Sequence, residues 1–237
     1  MKLSIIIPVF NEEVSIVDVI KNVQDIEIPK VTKEIIVVDD GSTDATASVI
    51  SKFRSQNSNL KIITHKKNQG KGAAVITGIK HATGEYIIIQ DADLEYNPQF
   101  IIKLVEPILS KESQVVYGTR LNRLPDFSKD ERKPLFLFHY LGNRFLSLVT
   151  SLLYRQWITD METCYKIFPK SAVDTMQLTA RGFEFEPEIT AKLLKKGFKI
   201  TEIPISTKPR GYNEGKKLNA LQEGPKALWI LVKYRFH

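Results

Sequence analysis

Cysteine is almost missing from these 237 residues: Cys164 stands alone. One thiol excludes an internal disulfide framework and suits a reducing compartment. No His or Asp pattern surrounds Cys164, so it reads as a packing residue rather than a nucleophile. Long apolar runs are missing too. The best one, Leu135–Tyr154, is interrupted by His139, Asn143 and Arg144, and none reaches the roughly 20 apolar residues of a spanning helix. The opening run Leu3-Ser4-Ile5-Ile6-Ile7 is broken by Pro8 too soon for a signal peptide, and predicts a buried strand. There is no internal repeat and no low-complexity segment. With 43% hydrophobic and 26% charged residues, the composition is that of a folded globular chain.

Charge is present but unevenly placed. From Lys195 onward there are ten Lys or Arg against three acids, which accounts for the whole net charge of +7. A basic tail on a neutral body points to an anionic partner on one side, such as lipid headgroups or a phosphorylated acceptor. A solvated basic face is the plainer reading. The interleaved aromatic and basic residues of single-strand binders are absent, which argues against nucleic acid.

The first half alternates strand and helix patterns. Strands are predicted at Leu3–Pro8, Glu34–Asp39, Leu60–His65, Tyr86–Gln90 and Gln114–Tyr117. Helices are predicted at Ser15–Val23, Ala45–Phe53, from Gly70-Lys71-Gly72 to Ile79, and at Pro98–Leu109. Each strand is a continuous apolar run, as expected when helices cover both faces of a mainly parallel sheet. After Gly118 the pattern changes. A polar loop at 121–133 precedes a long helix, Leu135–Tyr154, then a strand at Thr163–Phe168, a helix at Glu186–Lys196 and a strand at Ile200–Ile205. A Gly- and Lys-rich loop at 208–217 leads to a last helix, Pro225–Tyr234. The expected organisation is one α/β domain in two halves, residues 1–120 and 121–237.

Ligands of open α/β sheets bind beyond the carboxyl ends of the strands. Three polar clusters fall there: Pro8-Val9-Phe10-Asn11-Glu12-Glu13, Asp39-Asp40-Gly41-Ser42 and Asp91-Ala92-Asp93. The last is the most specific. Its two carboxylates, with Glu95 two residues on, repel one another unless a cation lies between them. Hard oxygen ligands suit Mg²⁺ or Mn²⁺, which bridge to substrate phosphates. Gly70-Lys71-Gly72 lacks the spacing of a Walker phosphate loop.

These segments, in this order and together with Asn68-Gln69-Gly70-Lys71-Gly72, resemble the successive motifs of the inverting family 2 glycosyltransferases. The resemblance spans roughly the first 120 residues, which would make 1–120 the nucleotide-sugar-binding half and 121–237 the acceptor-binding half. It implies a Rossmann-like GT-A fold and a nucleotide-sugar donor, GDP-mannose or UDP-glucose. Pro8, Phe10, Asn11 and Glu12 would then cradle base and ribose, with Asp39 and Asp40 at their edge and Lys71 near the nucleotide. Asp91 and Ala92 would line the ribose, and Asp93, Glu95 and Asp91 would hold the metal.

Gly118-Thr119-Arg120, Asp160 to Lys166 and Arg210 to Lys216 resemble segments of the dolichyl- and polyprenyl-phosphate mannose synthase group. That likeness implies a hexose, mannose or glucose, transferred to a polyprenyl phosphate. Arg120, Arg210 and Lys216 would grip phosphates, with Arg144 a weaker candidate. A lipid phosphate is already ionised, so it needs no general base, and attack opposite the leaving diphosphate inverts the sugar. A glycan hydroxyl, the alternative acceptor, needs a base, and Asp160 is its candidate. A non-catalytic nucleotide- or nucleic-acid-binding module is the remaining alternative. The final helix sets Leu228, Trp229 and Leu231 beside Lys226, Lys233 and Arg235, which suits an interfacial helix or a core helix with a basic edge. The expected location is the cytoplasmic face of a membrane, reached peripherally or through an anchoring partner protein.

Overall fold

A computed structural model describes residues 1–54, 60–122, 134–208 and 220–237. In those residues the chain folds around one sheet of seven strands, ordered β3-β2-β1-β4-β6-β5-β7. β1 (Lys2–Val9) lies between β2 (Thr32–Asp39) and β4 (Tyr86–Ile89), and β2 pairs outward with β3 (Leu60–Thr64), all in parallel. β6 (Lys166–Pro169) is antiparallel to both β4 and β5 (Val115–Thr119), and β7 (Ile200–Pro204) runs parallel to β5. The 120/121 boundary therefore divides the sequence but not the sheet, because β6 is inserted between two strands of the first half.

The expected helices form: α1 (Ile16–Asp25), α2 (Thr46–Arg54), α3 (Lys71–His81), α4 (Phe100–Leu109), α5 (Pro134–Tyr154) and α7 (Phe185–Lys195). Helix α1 turns Ile16, Val19, Ile20 and Val23 into the core, the apolar stripe of a surface helix. Two differences stand out. A short helix, α6 (Lys170–Asp174), follows β6, and α8 begins at Ala220 and runs through Pro225 to Phe236. The strands are also less uniformly buried than their sequences imply. β3 and β7 each show a partly exposed pattern because they are the two edges of the sheet.

The crevice opens where strand order reverses, between the carboxyl ends of β1 and β4. Their register stops at Ile6 and Ile89. Pro8 lies two residues further on, and its ring nitrogen has no hydrogen with which to extend the ladder. β1 continues only against β2, to Val9 opposite Asp39, so the end of β4 is left open for the acidic turn.

The opposite end of the sheet is tied by Glu34. Its carboxylate accepts from Ser4 Oγ, from Thr83 N at 2.5 Å and Oγ1 at 2.7 Å, and from Gly84 N at 3.0 Å. Lys2 Nζ lies 3.3 Å away. Burial alone would raise this carboxyl, but the hydrogen bonds from Ser4 and Thr83 outweigh it and hold the pKa down at about 2, against 4.5 when unperturbed. A depressed folded pKa stabilises the protein above the unfolded value, and that stability is lost as pH falls from 4.5 through about 2. We expect Glu34→Gln to cost about 1 kcal/mol at pH 7, solvent screening keeping the effect small. The variant's stability should also fall less steeply between pH 5 and pH 2 than wild type's in urea melts. Equal acid slopes would show that Glu34 does not carry this linkage.

Candidate active site

The first two clusters close on each other at the carboxyl ends of β1 and β2. Asn11, at φ 50°, reverses the chain after Phe10, and Thr43 N donates to its side-chain carbonyl at 2.8 Å. Asn11 N in turn donates to Ser42 Oγ at 3.0 Å, and Glu12 N to Thr46 Oγ1 at 2.9 Å. Buried Asp39 fixes the turn by accepting from Ser42 N at 3.0 Å and Ser42 Oγ at 2.6 Å. Pro8 is buried, while Phe10, Asn11 and Glu12 are partly exposed at the rim.

Asp40 does a different job. Its carboxylate accepts from Gln69 N at 3.0 Å and Gly70 N at 2.7 Å, and His65 Nδ1 lies 2.6 Å away. It therefore pins the segment that delivers Lys71 to the start of α3. Gly70 has φ +98°, and a Cβ there would collide with the Arg181 carbonyl. That carbonyl accepts from Ala73 N at 3.0 Å. Glycine is what lets the second half of the chain close over the start of α3.

The third cluster follows β4. Ser15 Oγ is 2.8 Å from Glu12 Oε2 and 2.7 Å from the Ala92 carbonyl, joining the acidic turn to the first cluster. Asp91 Oδ1 pairs with Lys71 Nζ at 2.7 Å, and Lys71 lies 3.7 Å from Glu186 Oε1. Glu186 Oε2 is bonded by the fully buried Lys166. Acid and ammonium thus alternate along Asp91, Lys71, Glu186 and Lys166. Burial opposes the charge on Lys71, but Asp91 and Glu186 outweigh it and hold the ammonium well above its ordinary range.

Asp93 Oδ1 accepts from Glu95 N at 3.1 Å. Burial, reinforced by the Asp91 and Glu95 charges, lifts the Asp93 carboxyl to about 7. Asp91 and Glu95 thus raise the cost of ionising Asp93, a cost that a divalent cation placed among them would offset. Yet no three acidic, His or Cys side chains among the described residues are gathered as a ready metal cluster, and Asp91 is turned to Lys71. The three-carboxylate clamp expected from sequence is therefore not assembled. What fits is a site of one or two carboxylates, Asp93 with Glu95, completed by substrate phosphate oxygens.

Arg120 and Asp160 meet across the sheet. The guanidinium donates to Asp160 from Nε at 2.7 Å and Nη2 at 2.8 Å, and Arg120 N adds a third bond at 2.9 Å. Both oxygens of Asp160, which is wholly buried, are taken by this arginine, the geometry of an anchor more than of a base. Arg144 lies apart, with Nη1 donating to the Leu121 carbonyl at 3.2 Å. Arg210 and Lys216 fall outside the described residues.

Sequence reading gave no role to Glu186, Lys166, Glu162 or His65. A lysine inside the apolar Tyr165–Phe168 strand was the available signal, since a fully buried Lys demands a partner. Burial raises the Glu162 carboxyl to about 7, with Glu186 adding to the rise and Lys166 opposing it.

This architecture has solved counterparts. A crystal structure of glucosyl-3-phosphoglycerate synthase from Mycobacterium tuberculosis with UDP superposes with a TM-score of 0.74 at 19% identity, over 99% of this chain and 80% of that one. A second, with Mn²⁺ and UDP-glucose, gives 0.72 at 20% identity over 99% and 78%. The fold is GT-A, that of nucleotide-diphospho-sugar transferases. Residues 4–176 match the family described as Glycosyl transferase family 2, and the chain belongs to that family of glycosyltransferases. Among its sequence relatives is the UDP-N-acetylglucosamine–dolichyl-phosphate N-acetylglucosaminyltransferase of Methanococcus voltae. It is 31% identical over 234 residues, 92% of this chain and 90% of that protein. An uncharacterized protein of Methanocaldococcus jannaschii is 30% identical over 96% of this chain and 90% of its own length.

Asp40→Asn should set an amide N–H₂ against the Gly70 N–H or against His65. We expect a loss of about 1.5–3 kcal/mol in stability and, through the displaced Lys71 segment, weaker nucleotide binding by calorimetry. Wild-type UDP affinity in a folded variant would show that the Asp40 contacts do not shape the nucleotide site.

Proposed function

We propose that this glycosyltransferase moves a gluco-configured sugar, glucose or N-acetylglucosamine, from a UDP donor to a polyprenyl phosphate, with inversion, at the cytoplasmic face of a membrane. The observation that carries this reading is the near full-length likeness to the enzyme named for UDP-N-acetylglucosamine and dolichyl phosphate. Of the two donors expected from sequence, this likeness favours the uridine one over GDP-mannose. The geometry agrees on the acceptor. A lipid phosphate attacks as an anion and needs no general base, and the one acid suspected of that role, Asp160, is held at both oxygens by Arg120.

In this reading the loops carrying Pro8, Phe10, Asn11 and Glu12, with Asp39, hold base and ribose, and Asp40 positions the segment of Lys71. Asp91 and Ala92 line the ribose. Asp93 and Glu95 hold Mg²⁺ or Mn²⁺, which when bound offsets charge on the leaving diphosphate. Arg120 commits two of its five donors to Asp160, and the others are assigned to a phosphate. Arg210 and Lys216 are assigned to the same donor diphosphate or lipid phosphate, with Arg144 as a weaker candidate for the acceptor phosphate.

No helix of the described residues is long and apolar enough to cross a bilayer. Helix α5 nevertheless exposes Phe138, Leu141, Phe145, Leu148 and Leu152, spaced by three and four residues so that they share one face. It contains no acid from Pro134 to Tyr154. Helix α8 is fastened beside it, Tyr154 Oη donating to the Leu231 carbonyl at 2.8 Å and Arg235 Nε to the Leu153 carbonyl at 2.7 Å. Trp157 and Trp229 are each about two-thirds exposed. An apolar face flanked by tryptophans and by Lys226, Lys233 and Arg235 suits a bilayer interface with anionic headgroups.

The direct test offers radiolabelled UDP-glucose, UDP-N-acetylglucosamine and GDP-mannose with polyprenyl phosphate and either metal, scored as lipid-extractable label. Label from a UDP sugar, abolished by EDTA, is the expected result. Transfer only to glycan hydroxyls would overturn the acceptor assignment. In the same purified system, Leu141→Glu combined with Leu152→Glu should reduce co-sedimentation with vesicles containing anionic lipid. If wild-type protein does not bind such vesicles, the α5 face belongs to an anchoring partner protein instead.

A further inference from the structure

Buried side-chain oxygens are nearly always hydrogen-bonded, because leaving water without a replacement partner is costly. Three buried side-chain oxygens of the described residues depart from this. Glu162 Oε1, Thr163 Oγ1 and Glu186 Oε1 have no hydrogen-bond partner among the described residues. Thr163 is wholly buried and Glu186 is 3% exposed.

Lys166 links two of these residues, and the third adjoins them in sequence. Lys166 Nζ donates both to the Thr163 carbonyl and to Glu186 Oε2. Glu186 Oε1 lies 3.7 Å from Lys71 Nζ, which is 2.7 Å from Asp91. Glu162 is under the fields of Lys166, Glu186, Arg120 and Asp160. Glu186 therefore adjoins the residues expected to meet the donor, and Glu162 and Thr163 immediately precede β6 on the same, carboxyl side of β4.

Their chemistry narrows the ligand. Lys71 and Lys166 already neutralise Asp91 and Glu186, so a further cation is not called for, and carboxylates repel a phosphate. What three acceptors lack is an uncharged group rich in hydrogen-bond donors. Vicinal sugar hydroxyls are such a group, and they both donate and accept, which suits a threonine hydroxyl and a carboxyl balanced near neutrality.

We propose that Glu162, Thr163 and Glu186 form the subsite that binds the hydroxyl groups of the transferred sugar and selects among donor sugars. The inference rests on the nucleotide-sugar reading above but is independent of the acceptor.

Thr163→Val removes the unpartnered hydroxyl with little change of shape, and Glu162→Gln removes the charge. Purified wild type and both variants are titrated, with Mn²⁺, against UDP, UDP-glucose, UDP-N-acetylglucosamine and UDP-galactose, alongside thermal melts and transfer assays. Thr163→Val should keep UDP affinity and the melting midpoint while losing about tenfold in affinity or kcat/KM for the preferred sugar, the worth of one such hydrogen bond. Glu162→Gln should narrow the preference among the three sugars. Wild-type selectivity in both variants would overturn the proposal and leave water as the partner of these oxygens. So would a parallel fall of UDP affinity, sugar affinity and melting midpoint, the mark of a purely structural role. If sugar selectivity changes as expected but no label reaches polyprenyl phosphate, the acceptor reading fails and this subsite stands.

Discussion

The alternation of Asp91, Lys71, Glu186 and Lys166 is the interaction on which the site depends. Each member comes from a different element: the turn after β4, the start of α3, the first turn of α7 and strand β6. A fully buried ammonium at Lys166 is tolerable only with Glu186 against it. Glu186 in turn stands near Lys71, which orients Asp91. Charge neutrality inside the sheet thereby fixes where the second half of the chain must sit on the first. The same chain of pairs withdraws Asp91 from its acidic neighbours.

A second constraint is local and comes from backbone geometry. Pro8 ends the β1–β4 ladder, Asn11 reverses the chain, and Gly70 allows the Arg181 carbonyl to approach α3. These features open a crevice at the reversal of strand order and line it with turns that are hydrogen-bonded to one another. Asp39 and Asp40 are neighbours with opposite outlooks, one closing its own turn and the other anchoring the segment of Lys71. Two adjacent carboxylates serve separate ends because successive residues leaving a strand point to opposite sides.

Arg120 and Asp160 illustrate how a partner changes the meaning of a residue. Read alone, Asp160 is an acid at the edge of a strand. Held at both oxygens by a guanidinium, it is the fixed partner of a cation instead. The contrast between α5 and α8 has the same character. Both carry apolar residues, but Leu231 is in the core while Leu141 and Leu152 are exposed, a distinction that depends on which faces pack together.

Sequence alone was enough for the strands, every helix but α6, the mainly parallel sheet and the three polar clusters, because each is written in local periodicity and turn chemistry. It placed Ile16, Val19, Ile20 and Val23 on one buried face and Asp91-Ala92-Asp93 at a strand end. Long-range packing set the antiparallel insertion of β6, the pairing of Lys166 with Glu186 and of Arg120 with Asp160, and the turning of Asp91 from its neighbours to Lys71. Those depend on contacts between residues 20 to 40 positions or more apart, or in different elements. No local pattern encodes which of several acids a buried cation will meet; that is settled by which elements the sheet brings side by side, and by the cost of leaving any such charge alone.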